Sequence, residues 1–247
     1  MSDLREAAAT FFARRPELRL RALGARENAP LLDLAPLGVE AGFLDAAREP
    51  RWVERYHAAN VAAFPGPLGL PGWVLADLYL MPAAIGVLTD GDDIVAAYYA
   101  APAIEPGVVI GVSLFASRAG EGAGAMVKTL TLKMLRARKL RGVTRWGTAL
   151  RTHTRMGALS VLGRVPKAHA HADTIFAYAV DLTDEARWAA ALSRPSGQLA
   201  PEGCRRISSS DHEALSALLD RAEDGEPIVI APPGSSPDGA EIYVVEG

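Results

Sequence analysis

The sequence has very little of several features that would narrow its class. Cys204 is the single cysteine among 247 residues, which excludes an intrachain disulfide and favours a reducing compartment. No apolar run approaches the roughly 20 residues that a membrane-spanning helix needs. Ser2–Arg15 mixes acidic, basic and apolar side chains, unlike a signal peptide. These absences predict a cytoplasmic protein with no membrane partner.

Charge of one sign is missing from two long segments. Residues 122–172 contain eleven Lys and Arg but no Asp or Glu, whereas Tyr56 to Ser117 contains neither Lys nor Arg. The basic segment has three interpretations: a solvated helix face with ordinary strand-end charges, a field that attracts a phosphorylated ligand, or a surface for DNA or RNA. Trp146 is its only aromatic residue, so stacking on single-stranded bases lacks support.

Hydrophobic periodicity divides the rest of the chain into helical and strand-like segments. Towards the N-terminus it predicts a helix over Leu4–Arg15, a first strand at either Leu18–Leu23 or Pro30–Leu37, and a helix over Ala41–Phe64 that is interrupted near Pro50. Three strand-like runs follow, separated by turn residues, and predict a meander: Ala84–Thr89, Ile94–Ala101 and Val108–Ala116.

After the meander the period becomes helical. Met126, Leu130 and Met134 follow one another at four-residue spacing, which predicts a helix that ends near Gly142. The pattern then predicts a strand over Val143–Leu150, a helix over Arg155–Leu162 that ends at Gly163, and a strand over Thr174–Leu182.

A glycine run, Gly120-Glu121-Gly122-Ala123-Gly124, joins the meander to the helix. A strand, a glycine turn and a helix start in basic surroundings favour a site where main-chain amides hold a phosphate group. A nucleoside-triphosphate loop is disfavoured because no Gly-Lys-Ser/Thr follows. A dinucleotide-binding fingerprint is also disfavoured, since a meander precedes the run in place of a βαβ unit.

This order of elements resembles the GNAT superfamily of acyl-CoA-dependent N-acetyltransferases. In that family the fourth strand leads into a loop of pattern [Gln/Arg]-x-x-Gly-x-[Gly/Ala], and here Ala119–Gly124 corresponds to the loop after the strand end Val112–Ser117. The resemblance implies an α/β (α+β) fold: a mixed, mainly antiparallel sheet flanked by helices, with a small C-terminal extension. It also implies transfer of an acyl group from acetyl-CoA, or another acyl-CoA, to an amine of a small-molecule or macromolecular acceptor.

The resemblance assigns residues to the co-substrate. Main-chain amides of Leu114, Phe115 and Ala116 are expected to orient the pantetheine arm. The pyrophosphate is expected to contact Arg118, Ala119, Gly120, Gly122, Ala123 and Gly124. One departure is that Ala119 stands where the family has Gln or Arg, with Arg118 one residue early.

A second departure concerns the proton donor. Family members often carry a Tyr on the helix after the fifth strand, where it can protonate the departing CoA thiolate. Aligning Gly163 with the glycine that ends this helix puts Leu159 near that position, and no Tyr occurs between Tyr99 and Tyr178. The acid is then missing, replaced or unnecessary. A family member acting on nucleic acid or a tRNA-linked group, and a non-catalytic CoA-binding or regulatory module, therefore stay open.

Other side chains are candidates for the chemistry. His153 and Glu105 are candidate proton acceptors or donors, and Tyr98 and Tyr99 are candidates for the acceptor side of the cleft. Adjacent strand residues point to opposite faces, so at most one of the two Tyr lines a given site. Surface or core positions without a functional role are the alternative for all four.

A metal site is not predicted. His169, His171 and Asp173 would share one face of a strand, as a metal ligand set requires, but the sequence offers no evident further ligand. We interpret the string as an exposed hairpin.

The domain prediction has three parts. Residues 1–182 form the GNAT-like domain with its core at 84–182, 183–203 form a linker, and 204–247 form an extension. Arg205–Arg221 in this extension resembles the opening strand and helix of a GNAT-like domain, and is either part of a second such element or an element that pairs with the sheet. A homodimer is compatible with the sequence but not indicated by it.

Overall fold

The structure, a computed structural model, describes residues 2–26, 32, 38–66, 69–76, 83–118, 121–165, 175–184, 186–193 and 202–245. Its contacts divide the chain into two units, Met1–Arg138 and Lys139–Gly247. Each unit contains its own strands and helices. Among the described residues, no helix is long and apolar enough to cross a membrane.

The first unit combines one parallel strand pair with an antiparallel meander. Its helices are α1 (Ser2–Ala13), α2 (Pro50–Ala63) and α3 (Ala123–Met134), with a 3-10 turn at Gly72–Ala76. Its strands are β1 (Leu18–Gly24), β2 (Ala41–Asp45), β3 (Ala84–Asp90), β4 (Asp93–Pro102) and β5 (Val108–Ala116). β1 runs parallel to β2 and antiparallel to β3, while β3, β4 and β5 pair antiparallel in succession. The predicted mixed, mainly antiparallel sheet and the meander are confirmed.

One face of this sheet is covered by α2. Trp52 and Tyr56 of α2 pack with Tyr99 and Phe115 of the sheet in one buried apolar cluster. The ring of Tyr56 lies 5.8 Å from Phe115 and meets Tyr99 edge-on at 6.5 Å, measured between centroids. Aromatic pairs at such separations bury large areas, so this cluster fixes α2 against β4 and β5.

The opposite face is covered by α3. A Cβ at Gly86 of β3 would lie 1.9 Å from Oγ1 of Thr131, so this position has to be glycine for α3 to pack so closely. At the other end of the helix, a Cβ at Gly124 would be in ordinary contact with Ala116, 3.5 Å away. The first turn of α3 is thereby placed beside the last residue of β5.

The second unit is an antiparallel sheet with three helices. Its helices are α4 (Ala149–His153), α5 (Ala186–Ser193) and α6 (His212–Glu223), and a 3-10 turn at Thr154–Met156 continues α4. Its strands are β6 (Lys139–Arg145), β7 (Leu159–Arg164), β8 (Ile175–Asp181), β9 (Arg205–Ser208), β10 (Ile228–Ser235) and β11 (Glu241–Val245). They lie in the order β6-β8-β7-β10-β11-β9, and every pair is antiparallel.

The C-terminal residues continue this sheet. β10 pairs with β7, so that Ile230 lies opposite Leu159. The contacts therefore group 139–182 with the C-terminal strands, whereas the sequence analysis placed the boundary after residue 182. The likeness of 204–247 to a partial second GNAT-like element stays a prediction.

The N-terminal half shows one wrong prediction. A helix interrupted near Pro50 was expected over Ala41–Phe64, but its first part is strand β2, while the part from Pro50 onward is confirmed as α2. Proline suits the first turn of a helix because its missing N–H has no intrahelical partner there. Of the two candidates for the first strand, Leu18–Leu23 is confirmed as β1. Pro30–Leu37 lies outside the described residues apart from Leu32.

Three further predictions are wrong in the region after α3. α3 ends at Met134 and not near Gly142, because Arg136 takes a left-handed conformation and the Ala137 amide bonds back to the Leu132 carbonyl. The strand expected over 143–150 is β6 followed by α4, and the helix expected over 155–162 is a 3-10 turn followed by β7. Apolar runs this short fit either period. The strand over 174–182 is confirmed as β8.

Candidate functional site

The start of α3 presents main-chain amides without partners. Gly122 is the N-cap of this 12-residue helix, with a left-handed φ of 77° and no side-chain cap. Within the described residues, the amides of Ala123, Gly124 and Ala125 donate no hydrogen bond, and the first helical bond runs from Met126 N to Gly122 O at 2.9 Å. Such amides and the helix dipole favour an anion at this end.

The bend is open to solvent. Gly122 is exposed, and a Cβ built on it would meet no described atom within 4 Å. Gly124 is half-buried, and Ala123 and Ala125 are buried, so the open position beside these amides is Gly122. Two residues assigned to the same loop by sequence, Ala119 and Gly120, lie outside the described residues.

Acidic and basic side chains flank this bend in pairs. Arg118 donates to Asp90 Oδ2 at 2.6 Å and lies 3.9 Å from Glu17, and the hydrogen bond to Asp90 raises the pKa of Arg118. Arg15 donates to the main-chain oxygen of Glu121 at 2.8 Å. Arg118 was expected to contact a phosphate, yet it is already held by Asp90. The expected contact of Arg118 with a phosphate stays a prediction.

Leu114, Phe115 and Ala116 lie on the last part of β5, next to the bend. They pair with Tyr98, Ala97 and Ala96 of β4. Phe115 is buried against α2, while Ala116 is exposed. Their expected contact with a pantetheine arm stays a prediction.

Tyr98 and Tyr99 point to opposite faces, as expected for adjacent strand residues, and both are buried. Tyr98 lies on the α3 face, with its ring centroid 5.9 Å from Lys128 Nζ, and Tyr99 lies on the α2 face against Tyr56. The structure gives both a packing role. Their expected contact with an acceptor stays a prediction.

Glu105 is not brought to the bend. It lies exposed in the turn that precedes β5, and its carbonyl accepts from Val108 N at 3.1 Å. The nine residues of β5 separate this turn from Gly122. At ~3.3 Å per residue this strand is about 30 Å long. A shared role of Glu105 with the Gly122 amides is therefore not supported.

A buried polar network on α2 was missed by the sequence analysis. Asn60 is fully buried, donates to Ser113 Oγ at 2.7 Å, and accepts from Leu70 N at 2.8 Å. His57 Nε2 lies 3.0 Å from the Leu70 carbonyl. These bonds tie the segment after α2 to β5, because a buried amide requires such partners. A lone Asn four residues after Tyr56 in an apolar stripe was the available signal.

The basic segment extends over both units, and several of its side chains are buried or bonded to other residues of the protein. Lys128 of α3 is buried, and burial lowers its pKa from 10.5 to about 7. Arg151 donates to the Ser235 carbonyl at 2.7 Å, and Arg164 forms ion pairs with Asp220 and Glu223 at 2.7 and 2.8 Å. These contacts favour a structural role for Lys128, Arg151 and Arg164 over contact with DNA or RNA.

His153, the last residue of α4, meets Tyr178 of β8. The Tyr178 hydroxyl oxygen lies 2.7 Å from His153 Nδ1, and the two ring centroids are 4.9 Å apart. Tyr178 is 1% exposed, and burial raises the pKa of its hydroxyl. The sequence analysis singled out His153 but not this partner, 25 residues further along the chain.

The placement of Leu159 at the proton-donor position was wrong. Gly163 lies inside β7, and Leu159 is a buried residue of the same strand. The glycine that follows the helical segment is Gly157, next to the 3-10 turn that extends α4. The same four-residue spacing counted back from Gly157 leads to His153.

No metal centre is seen in the described residues, where no group of three or more His, Cys, Asp or Glu could hold a metal ion. His169, His171 and Asp173 lie outside the described residues.

Comparison with known proteins gives structural neighbours only. No protein-family model and no curated protein matches this chain. A Desulfovibrio desulfuricans protein assigned to the GNAT family of acetyltransferases is 15% identical, with a TM-score of 0.44 over 67% of this chain and 99% of its own. This chain is similar in fold to the GNAT acetyltransferases.

Two further structures agree in outline. YncA of Salmonella typhimurium, solved with acetyl-CoA, is 15% identical, with a TM-score of 0.40 over 58% of this chain and 93% of its own. Ribosomal-protein-alanine N-acetyltransferase of Brucella melitensis is 15% identical, with a TM-score of 0.41 over 56% of this chain and 97% of its own. At these values the similarity concerns the fold, and activity has to be argued from the residues of this chain.

Proposed function

We propose that the chain is an acyl-CoA-dependent N-acyltransferase, with acetyl-CoA as the donor and a primary amine as the acceptor. The observation that carries the proposal is the start of α3, where the amides of Ala123, Gly124 and Ala125 are unbonded among the described residues and the adjoining Gly122 is open to solvent. A diphosphate group satisfies such amides and interacts favourably with the helix dipole.

The residues present fit this ligand. Glycine at position 122 provides the left-handed turn, and its lack of a side chain leaves room for phosphate oxygens. Ala119 and Gly120 complete the proposed loop. The substitution of Ala119 for Gln or Arg is tolerated in this proposal because main-chain groups do the binding.

We assign the proton-transfer role to His153. Acyl-CoA supplies a thioester carbonyl, which an amine attacks while the CoA thiolate departs. An imidazole can accept the proton that the amine loses or donate one to the thiolate. Its place at the four-residue spacing before Gly157 supports this role. Glu105 has no part in the proposal.

The binding step is tested by calorimetric titration of the whole chain with acetyl-CoA. Gly122→Glu should weaken binding at least about 100-fold, because a side chain and a negative charge would occupy the phosphate position. The matched control is Gly203→Glu, since Gly203 has the same φ of 77° and equally open surroundings. If both variants bind like the wild type, the loop assignment is wrong.

Two further measurements on the whole chain separate the other two functions. A non-catalytic CoA-binding module would bind acetyl-CoA but release no CoA thiol with any amine in a panel of small amines and peptides. A protein that acts on nucleic acid would bind RNA or DNA with an affinity that falls steeply as salt rises. The amine that gives thiol release identifies the acceptor class, and sedimentation shows whether a homodimer forms. The single cysteine supports a cytoplasmic location.

A further inference from the structure

The pair of His153 and Tyr178 is built by the sheet of the second unit. β6 and β8 pair antiparallel, and their register places Tyr178 directly opposite Gly142. Because Gly142 has no side chain, the ring of Tyr178 can lie across β6. A Cβ at position 142 would come within 2.8 Å of the Tyr178 hydroxyl oxygen and 2.9 Å of Cζ. Glycine at 142 is therefore a condition for the observed position of the hydroxyl.

The hydroxyl then reaches only one side of the imidazole. It lies 2.7 Å from Nδ1 of His153, which is hydrogen-bond distance. Burial raises the pKa of Tyr178, so the phenol keeps its proton at neutral and mildly alkaline pH and can donate it. A neutral imidazole that accepts at Nδ1 carries its own proton on Nε2.

We propose that Tyr178 is a positioning residue that holds neutral His153 in the Nε2–H tautomer, with Gly142 making room for it. The proposal rests on the function proposed for His153. It assigns the Nε2–H of neutral His153 as a hydrogen-bond donor to the departing sulfur, which stabilises the negative charge that develops there. The amine nitrogen forms the C–N bond, the C–S bond breaks, and the proton that the nitrogen loses passes to the thiolate through water. The imidazole keeps its own proton throughout.

The primary test is the tautomer of His153, read by nitrogen-15 NMR shifts of Nδ1 and Nε2 in the intact chain near pH 8.5. The wild type should show a protonated Nε2 and an unprotonated Nδ1. Tyr178→Phe should give a mixture of both tautomers, because Nδ1 loses its fixed donor. Tyr243→Phe, which removes the hydroxyl of another buried tyrosine in the same unit, is the matched control and should match the wild type.

A second variant tests the role of glycine. Gly142→Ala keeps the Tyr178 hydroxyl but pushes the ring away, so its spectrum should resemble that of Tyr178→Phe. Gly142 has no left-handed φ, so the backbone accepts alanine. In the transferase assay, both variants should lower kcat by about 10-fold and leave the KM for acetyl-CoA unchanged, which is the pattern of a lost orientation and not of lost binding.

The NMR result decides the proposal independently of activity. An unchanged Nε2–H tautomer in both Tyr178→Phe and Gly142→Ala overturns it. A changed tautomer combined with full activity of a His153→Ala variant leaves the positioning intact and instead removes His153 from the proposed function.

Discussion

The bend at Gly122 and the pair of His153 and Tyr178 are built in opposite ways. The bend is exposed, and its binding groups are main-chain amides that any residue except proline would supply. The pair consists of two side chains, one almost fully buried, joined by a hydrogen bond of 2.7 Å. A main-chain site tolerates replacement of neighbouring side chains. A side-chain pair depends on the identity of both partners and on the strand register that brings them together.

The largest expected effect comes from His153→Ala. Loss of the imidazole should lower kcat by about 100-fold, the usual contribution of a positioned acid or base, while the Kd for acetyl-CoA should change less than about 2-fold. Gly122→Glu should show the reverse pattern, with affinity lost. Steady-state rates and calorimetry on both variants therefore separate the two regions.

His212→Ala is the control for this prediction, because His212 is an exposed residue of α6 in the same unit. A kcat of His153→Ala equal to that of the control would refute a proton-transfer role for His153. It would leave the amide site at the bend untouched.

A smaller effect is expected from Lys128→Met, on the buried side of the helix whose N-terminus forms the bend. Burial lowers the pKa of Lys128 from 10.5 to about 7. Between these values the unfolded chain binds the proton and the folded chain does not, so wild-type stability rises with pH across this window. The Met variant lacks this dependence. Its free energy of unfolding should exceed that of the wild type by on the order of 2–4 kcal/mol at pH 6.

Urea unfolding at several pH values from 6 to 10.5 checks this. The advantage of the variant should shrink steadily above pH 7 and nearly vanish at the alkaline end. Lys133→Met, a half-buried lysine of the same helix, serves as control and should show no such trend. Parallel curves for wild type and Lys128→Met would mean that the buried amine keeps its proton.

The smallest effect is expected from Arg118→Gln. Arg118 is paired with Asp90, and ion pairs this exposed contribute less than about 1 kcal/mol. If the amides alone bind the diphosphate, the affinity for acetyl-CoA should change less than about 3-fold. Asp90→Asn, which releases the guanidinium, should leave affinity equal or slightly higher. A loss above 10-fold in Arg118→Gln, measured by calorimetry, would make the guanidinium a principal phosphate ligand.

The sequence predicted the bend because its signals are local. β-branched and aromatic runs separated by turn residues marked β3, β4 and β5, glycines marked the turn, and four-residue apolar spacing marked α3. Each of these signals acts within a few residues of the element it specifies. The expectation that the start of α3 carries accessible amides follows from the same local chemistry.

Local sequence patterns gave wrong predictions where a short apolar run fits both a strand and a helix. Residues 143–164 contain apolar runs too short to distinguish a strand from a helix, and Gly163 was therefore mistaken for the end of a helix. No glycine marks the end of α3 in the sequence, because it is Arg136 that adopts the left-handed conformation at this end. The network of Asn60 was equally hidden, since its partners Ser113 and Leu70 come from separate parts of the chain.

The sequence by itself determined a mainly antiparallel fold and a helix start with unpaired amides behind a glycine bend, because periodicity, glycine placement and unpaired amides are properties of neighbouring residues. Only the tertiary structure decided that His153 has a partner. Tyr178 reaches it because antiparallel pairing of β6 and β8 sets the tyrosine over a glycine. Register between distant strands is fixed by the packing of the whole sheet, and no short stretch of sequence contains it.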